Sequence, residues 1–181
     1  MDVVQTHIQG LLVIKPKVFR DARGYFLETW HQERYEANGI AMPFVQDNRS
    51  RSTRGVLRGL HFQRRFPQGK LISVSRGAVF DVAVDIRADS PTFGAWYGVE
   101  LNEDNQHQLW VPPGMAHGFC VLSDVVDFAY KCTERYRPDD EGSIRWNDPD
   151  IGIAWPDMAF TLSDKDSVAP FFRDATSMLS G

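Results

Sequence analysis

Phe80-Asp81-Val82-Ala83-Val84-Asp85-Ile86 is the stretch on which the fold turns. Positions 80, 82, 84 and 86 are large and apolar, while Asp81, Ala83 and Asp85 share the other side. An alternation of period two puts successive side chains on opposite faces of a strand. One face therefore packs into a core and the other looks into something polar. Outward from it, short apolar runs separated by turn residues fill the chain from about residue 44. Residues 71–75, 78–86, 94–101, 107–111, 117–122 and 127–133 are predicted strands. Pro91, Pro112, Pro113 and Pro138 fall between these runs, where a missing ladder N–H does no harm. Many short strands with regular turn signals give a sandwich or barrel of jelly-roll outline. Residues 8–15 read as a first strand ended by Pro16, residues 27–38 as helix stopped by Gly39, and the chain after Trp155-Pro156 as a short helical tail. The expectation is a mainly β protein: a jelly-roll β-sandwich with short helices near the N-terminal region and the C-terminus. Residues 1–181 form one domain in this reading.

Composition narrows the classes. Hydrophobic residues make up 43% of the 181, enough for a real core, and 12 Phe with 5 Trp suit a β-rich interior or an aromatic-lined pocket. No apolar run approaches the ~20 residues of a membrane span. The N-terminus lacks a basic region followed by an apolar stretch and a cleavage site, so a cytoplasmic protein without a membrane partner is expected. Cys120 and Cys132 sit in apolar segments without metal spacing and read as reduced, buried thiols.

The chemistry concentrates in Gln46-Asp47-Asn48-Arg49-Ser50-Arg51-Ser52-Thr53-Arg54-Gly55-Val56-Leu57-Arg58-Gly59-Leu60-His61-Phe62-Gln63. The chain as a whole carries a net charge of -4. A local excess of arginine in an acidic protein marks a defined anion site, with no nucleic-acid partner. His61 among the arginines places a proton-transfer group beside that anion. The combination points to an enzyme acting on a phosphorylated or nucleotide-linked small molecule. Neither His-Glu-x-x-His, Gly-x-Ser-x-Gly, a phosphate-binding P-loop nor Gly-x-Gly-x-x-Gly occurs, so zincin, hydrolase, P-loop and Rossmann readings lack motif support.

Several segments carry a family resemblance. Gly55-Val56-Leu57-Arg58-Gly59-Leu60-His61-Phe62-Gln63, residues 80–87, Leu109-Trp110-Val111-Pro112-Pro113-Gly114-Met115-Ala116-His117-Gly118-Phe119, residues 143–149 and residues 162–166 resemble the dTDP-4-dehydrorhamnose 3,5-epimerases, in that family's order. The resemblance covers nearly the whole chain. It implies a cupin-type jelly roll and a cofactor-free 3,5-epimerisation of dTDP-4-dehydro-6-deoxy-D-glucose to dTDP-4-dehydro-L-rhamnose, in dTDP-L-rhamnose biosynthesis. It also implies a homodimer. Metal-binding jelly rolls of this type usually carry His-x-His and a later Pro-x-Gly-x-x-His. Residues 112–117 match the second part, but His61-Phe62-Gln63 has glutamine where the second histidine belongs, so no metal is expected. Competing readings are a mono-epimerase of a related dTDP-4-keto-deoxysugar, a metal-dependent cupin enzyme and a non-catalytic sugar-nucleotide-binding jelly roll.

The resemblance also assigns residues. His61 is the base, oriented by Asp166; Tyr130 is the acid on the opposite face of the sugar; Lys70 stabilises the enolate at the C4 oxygen. For Asp166 a local reading competes, because Ser163-Asp164-Lys165-Asp166 matches a helix capping box. His117 lines the same pocket. Asp81, on the polar face of its strand, either holds His117 or pairs structurally with an arginine. Arg58 and Arg23 are the anion candidates. Phe26 stacks on thymine, and Glu28, Gln46 and Asn48 hydrogen-bond the nucleotide. The segment with Arg23, Phe26 and Glu28 comes from the partner subunit in this reading. The alternative for it is a surface β-turn with a solvated Arg–Asp pair.

Overall fold

The computed structural model describes residues 1–177. Among them β1 (Asp2–Gln5), β2 (Leu12–Lys15), β3 (Val18–Asp21) and β4 (Gly24–Leu27) precede α1 (Gln32–Glu36). β5 (Gln46–Thr53), β6 (Leu57–Gln63), β7 (Lys70–Arg76), β8 (Ala78–Asp85), β9 (Trp96–Asn102), β10 (Gln108–Val111), β11 (Met115–Val121), β12 (Val125–Cys132) and β13 (Glu141–Ser143) follow. The chain closes with α2 (Asp164–Ser167) and α3 (Phe172–Ser177). One sheet has six strands in the order β1-β2-β10-β7-β12-β5, the other five in the order β13-β6-β11-β8-β9, and β3-β4 form a separate hairpin. This is the mainly β jelly-roll sandwich that the alternation and the turn spacing predict, of the cupin type that the resemblance implies.

The two faces of β8 explain the layering. Val79 and Ala83 join Ile72, Val74, Leu109, Phe119 and Phe128 in the core between the sheets. Val82 and Val84, with Phe80 packed against them, face the other way. They meet Leu60, Phe62, Ile144 and Phe172 in a second core behind the five-stranded sheet. The C-terminal segment thus seals the outside of that sheet. A third cluster, with Leu12, Ile14, Leu71 and Trp110, is capped by Tyr35 and Ile40 beside α1. Both faces of β8 are therefore buried, and Asp81 and Asp85 are 0% exposed. A buried carboxylate needs partners, and these two find different ones. Asp81 turns into the sandwich, whereas Asp85 ties down its own loop through Arg87, Ser90 and Thr92.

Two local expectations change. The first predicted strand keeps only its second half: Thr6 Oγ1 donates to the carbonyl oxygens of Ile8 and Leu11, which folds residues 6–11 into a turn between β1 and β2. The predicted helix over 27–38 shrinks to α1, because Leu27 pairs with Val18 at the base of the β3-β4 hairpin. Gly39, at φ +90°, follows the helix as a left-handed stop.

Candidate active site

Between the sheets the apolar core gives way, beyond Phe119 and Phe128, to a cavity of 310 Å³. Asn48, Ser50, Arg58, His61, Lys70, His117 and Tyr130 are among its lining residues. Phe119 and Phe128 stack with centroids 4.0 Å apart and form an apolar floor. The polar walls come from both sheets: β6 and β11 bring His61 and His117 from one, and β5, β7 and β12 bring Asn48, Lys70 and Tyr130 from the other. His61 and His117 are register partners on adjacent strands. Their strands approach closely because Gly59 carries no Cβ. One built there would lie 2.6 Å from Gly118 Cα, and its φ of +122° suits glycine alone.

Each histidine has its own carboxylate. His61 Nε2 lies 2.6 Å from Asp166 Oδ1, and Asp166 Oδ2 accepts from the Gly59 N–H at 3.5 Å. Asp166 also donates its backbone N–H to Ser163 Oγ, the N-cap of α2. The cap thus uses the Asp166 backbone and leaves the carboxylate for the histidine, so the two readings of this residue are compatible. Burial pushes that carboxyl up, but the His61 contact, Ser163 and the Gly59 N–H outweigh it and hold it below the usual carboxylate range. His117 Nε2 lies 2.9 and 3.1 Å from the two oxygens of Asp81. Burial lowers the His117 pKa despite Asp81, with Lys70 and His61 adding to the effect.

Lys70 is half-buried, its ammonium 5.8 Å from the Tyr130 ring centroid. Burial lowers its pKa, against the opposing pull of Cys132, Asp81 and Glu141. Burial raises the Tyr130 phenol, with Arg58 opposing. Arg58 donates from Nε and Nη2 to Ser52 Oγ at 3.3 and 3.1 Å. A relay of side-chain amides runs beside it. The Tyr136 N–H donates to Gln46 Oε1, Gln46 Nε2 to Asn48 Oδ1, and Asn48 Nδ2 to Cys132 Sγ. The first link fixes which way both amides point.

Arg23, Phe26 and Glu28 are not brought to this cavity within the chain. Arg23 forms an ion pair with Asp21 at the hairpin tip, Phe26 is 70% exposed, and Glu28 pairs with Arg34. Sequence reasoning missed Glu141. It accepts from Tyr136 Oη at 2.9 Å and from Lys165 Nζ at 2.5 Å, on the strand that pairs with His61's. The available signal was Lys165, adjacent to Asp166. A larger cleft of 520 Å³, lined by Trp30, Met42, Phe44 and others, contains no histidine, so volume alone does not pick the site. Among the described residues no group of three His, Cys, Asp or Glu is gathered as a metal ion would require.

A histidine held at one nitrogen by a carboxylate presents the other as a base. A tyrosine on the facing sheet can return a proton, and an ammonium nearby can stabilise an oxyanion. Fold and site together define a jelly-roll enzyme of the isomerase class, built for proton transfer. A family model described as dTDP-4-dehydrorhamnose 3,5-epimerase matches residues 5–174. The dTDP-4-dehydrorhamnose 3,5-epimerase of Salmonella typhimurium is 52% identical over 178 residues, 97% of each chain. The crystal structure of dTDP-6-deoxy-D-glucose-3,5-epimerase from Legionella pneumophila, in complex with dTDP-4-keto-L-rhamnose, superposes with a TM-score of 0.95. Its identity is 51%, over 98% of this chain and 96% of that one. A more distant relative, the dTDP-4-dehydrorhamnose 3-epimerase of Streptomyces niveus, is 39% identical over 93% of this chain and 82% of its own. The chain belongs to the dTDP-4-dehydrorhamnose 3,5-epimerase family. No helix among the described residues is long and apolar enough to cross a membrane.

Proposed function

We propose that this chain converts dTDP-4-dehydro-6-deoxy-D-glucose to dTDP-4-dehydro-L-rhamnose by inverting C3 and C5, as a step of dTDP-L-rhamnose synthesis. The observation that carries this reading is the placing of the His61–Asp166 pair and of Lys70 with Tyr130 on facing walls of one cavity. Epimerisation removes a proton from one face of a carbon and returns one to the other, so it needs two groups on opposite sides. His61 takes the proton, with Asp166 fixing the tautomer and balancing the imidazolium. The electrons move into the C4 carbonyl, and Lys70 stabilises the enolate oxygen. Tyr130, kept protonated by burial, delivers a proton to the opposite face. His117, held by Asp81, lines the same pocket and keeps a donor or acceptor aimed at the sugar. C3 and C5 both adjoin the one ketone, so the same groups serve both centres. Proton transfer beside an existing ketone needs no cofactor.

Arg58 grips the diphosphate, and Gln46 and Asn48 hydrogen-bond the nucleotide. Arg23, Phe26 and Glu28 serve the site of a partner copy in a homodimer, which accounts for the exposed aromatics on the hairpin. The buried, unpaired Cys120 and Cys132 suit a reducing cytoplasm. The reading kept in second place is inversion at one carbon alone, favoured by the Streptomyces niveus relative named for a 3-epimerase.

Proton NMR of the substrate in deuterated water, with metal-stripped protein and a trapping reductase, tests both. Deuterium at C3 and C5 with L-rhamno product is expected. Exchange at one carbon selects the mono-epimerase, and dTDP binding without exchange rejects catalysis of this kind. His61→Ala should lose exchange and turnover together. Tyr130→Phe should lose inversion more than wash-in, and equal losses would argue against a dedicated acid.

A further inference from the structure

We infer that Ser52 is a positioning residue for the anion site: its hydroxyl holds the Arg58 guanidinium without neutralising it. The inference rests on the proposed contact between Arg58 and the diphosphate. Three observations carry it. First, β5 is polar along its length yet keeps a strand's alternation. Gln46, Asn48 and Ser50 are half-buried and Ser52 is buried, while Asp47, Arg49, Arg51 and Thr53 are exposed. Ser52, at 6% exposure, lies behind the cavity and is not one of its lining residues. A substrate in the cavity therefore meets Arg58, and Arg58 meets Ser52.

Second, the contact uses one particular edge of the guanidinium. Nε and Nη2 both point at Ser52 Oγ, at 3.3 and 3.1 Å. Arginine carries five N–H donors in a rigid fork. With the side-on edge held by the serine, the end-on edge formed by Nη1 and Nη2 is left for two parallel bonds to a phosphate oxygen pair.

Third, two of the neighbouring arginines are treated differently, while Arg49, which also lines the cavity, is like Arg58 in forming no ion pair among the described residues. Arg51 is paired with Asp127 at 2.7 Å and Arg54 with Asp124 at 3.1 Å. Arg58 forms no ion pair among the described residues. A carboxylate in the place of Ser52 would orient the guanidinium as well but would compete with the ligand for its charge. A neutral acceptor orients it and leaves the full positive charge for the anion. The side chain also loses less freedom on binding, because a long flexible arm is already ordered.

The test compares two ligands by calorimetry, dTDP and thymidine, which share the base and deoxyribose and differ in the diphosphate. In Ser52→Ala the Kd for dTDP should rise about three- to tenfold, the range of one lost hydrogen bond, with thymidine unchanged within error. KM for the sugar nucleotide should rise by a similar factor with kcat nearly constant, since the diphosphate is remote from the reacting carbons. Ser52→Thr, which restores the hydroxyl, should recover dTDP binding. Adding Ser52→Ala to Arg58→Ala should cost nothing further, because the serine acts only through the arginine. A thermal melt of each variant reports its folding. Equal weakening of both ligands would mean a general structural role and overturn the inference, as would unchanged dTDP binding in Ser52→Ala beside a weakened Arg58→Ala. An Arg58→Ala variant that binds dTDP normally would instead remove the anion-site reading itself.

Discussion

Lys70 shows how one buried charge sets a pH dependence. Its ammonium is drawn below the ordinary lysine range by burial. The proposed role at the enolate oxygen requires the charged form, which exists below the folded pKa and is lost as pH rises through it. The kcat profile should therefore fall on its alkaline side at a pH below the ~10.4 of a free lysine. Tyr130 is shifted the other way, upward, so its ionisation does not set that limb. Lys70→Met should lower kcat by about 10²- to 10³-fold, the usual loss for an oxyanion donor, and its residual rate should lack the alkaline fall. A limb that persists in this variant would assign the titration to another group. Residues of this kind were only partly legible in the sequence. His61 stood out because a titratable ring lay among arginines. Asp166 was ambiguous because a capping box and a catalytic pair use the same letters, and only the fold shows that its N–H serves the cap while its carboxylate meets His61. Glu141 was harder to find, since Lys165 reaches it from α2 only through the tertiary fold and the one local partner, Tyr136, carries no charge to mark it.

At the scale of elements, alternation was readable in β12, which buries Val126, Phe128 and Cys132 on one face, and in β8, whose large apolar residues alternate although both of its faces are buried. It failed for β3 and β4, whose Phe19, Arg20, Asp21, Tyr25 and Phe26 pack on no core of their own chain and so carry no buried face to reveal. β8 shows a subtler limit. Its two aspartates share a face, but one belongs to the site and the other to a loop. Burial alone would raise the Asp85 carboxyl. Hydrogen bonds from Arg87, Ser90 and Thr92 bring it down to about 2 instead. A carboxylate depressed in the fold contributes stability that is complete above its unfolded pKa and disappears as pH falls through the folded value. From a shift of this size, Asp85→Asn should cost about 2–3 kcal/mol at neutral pH. Urea melts should show the gap to the wild type closing between about pH 4 and pH 2, the window set by the unfolded and folded values. A gap that stays constant through that window would mean the loss came from packing rather than charge.

The hairpin makes sense only for the whole molecule. It is attached to its own chain by contacts at its flank, Arg20 Nη2 to the Asp104 carbonyl oxygen and Gln106 Nε2 to Tyr25 Oη, while Phe19 and Phe26 stay 52% and 70% exposed. Exposed aromatics beside an arginine fit a partner that offers a flat base and a diphosphate. If two copies exchange hairpins, each complete site contains His61 from one chain and Arg23 with Phe26 from the other. This arrangement predicts complementation. A hairpin variant carrying Arg23→Ala and Phe26→Ala should be nearly inactive alone, as should His61→Ala. When the two are unfolded together and refolded, half of the dimers pair unlike chains. Each mixed dimer then has one site with both defects and one intact, so about a quarter of wild-type activity should return for a two-fold symmetric pair. If the hairpin served its own chain, every site in the mixture would carry one defect and no activity would return. The recovered fraction, measured against wild type refolded alongside, therefore reads directly whether the site is built from one chain or two.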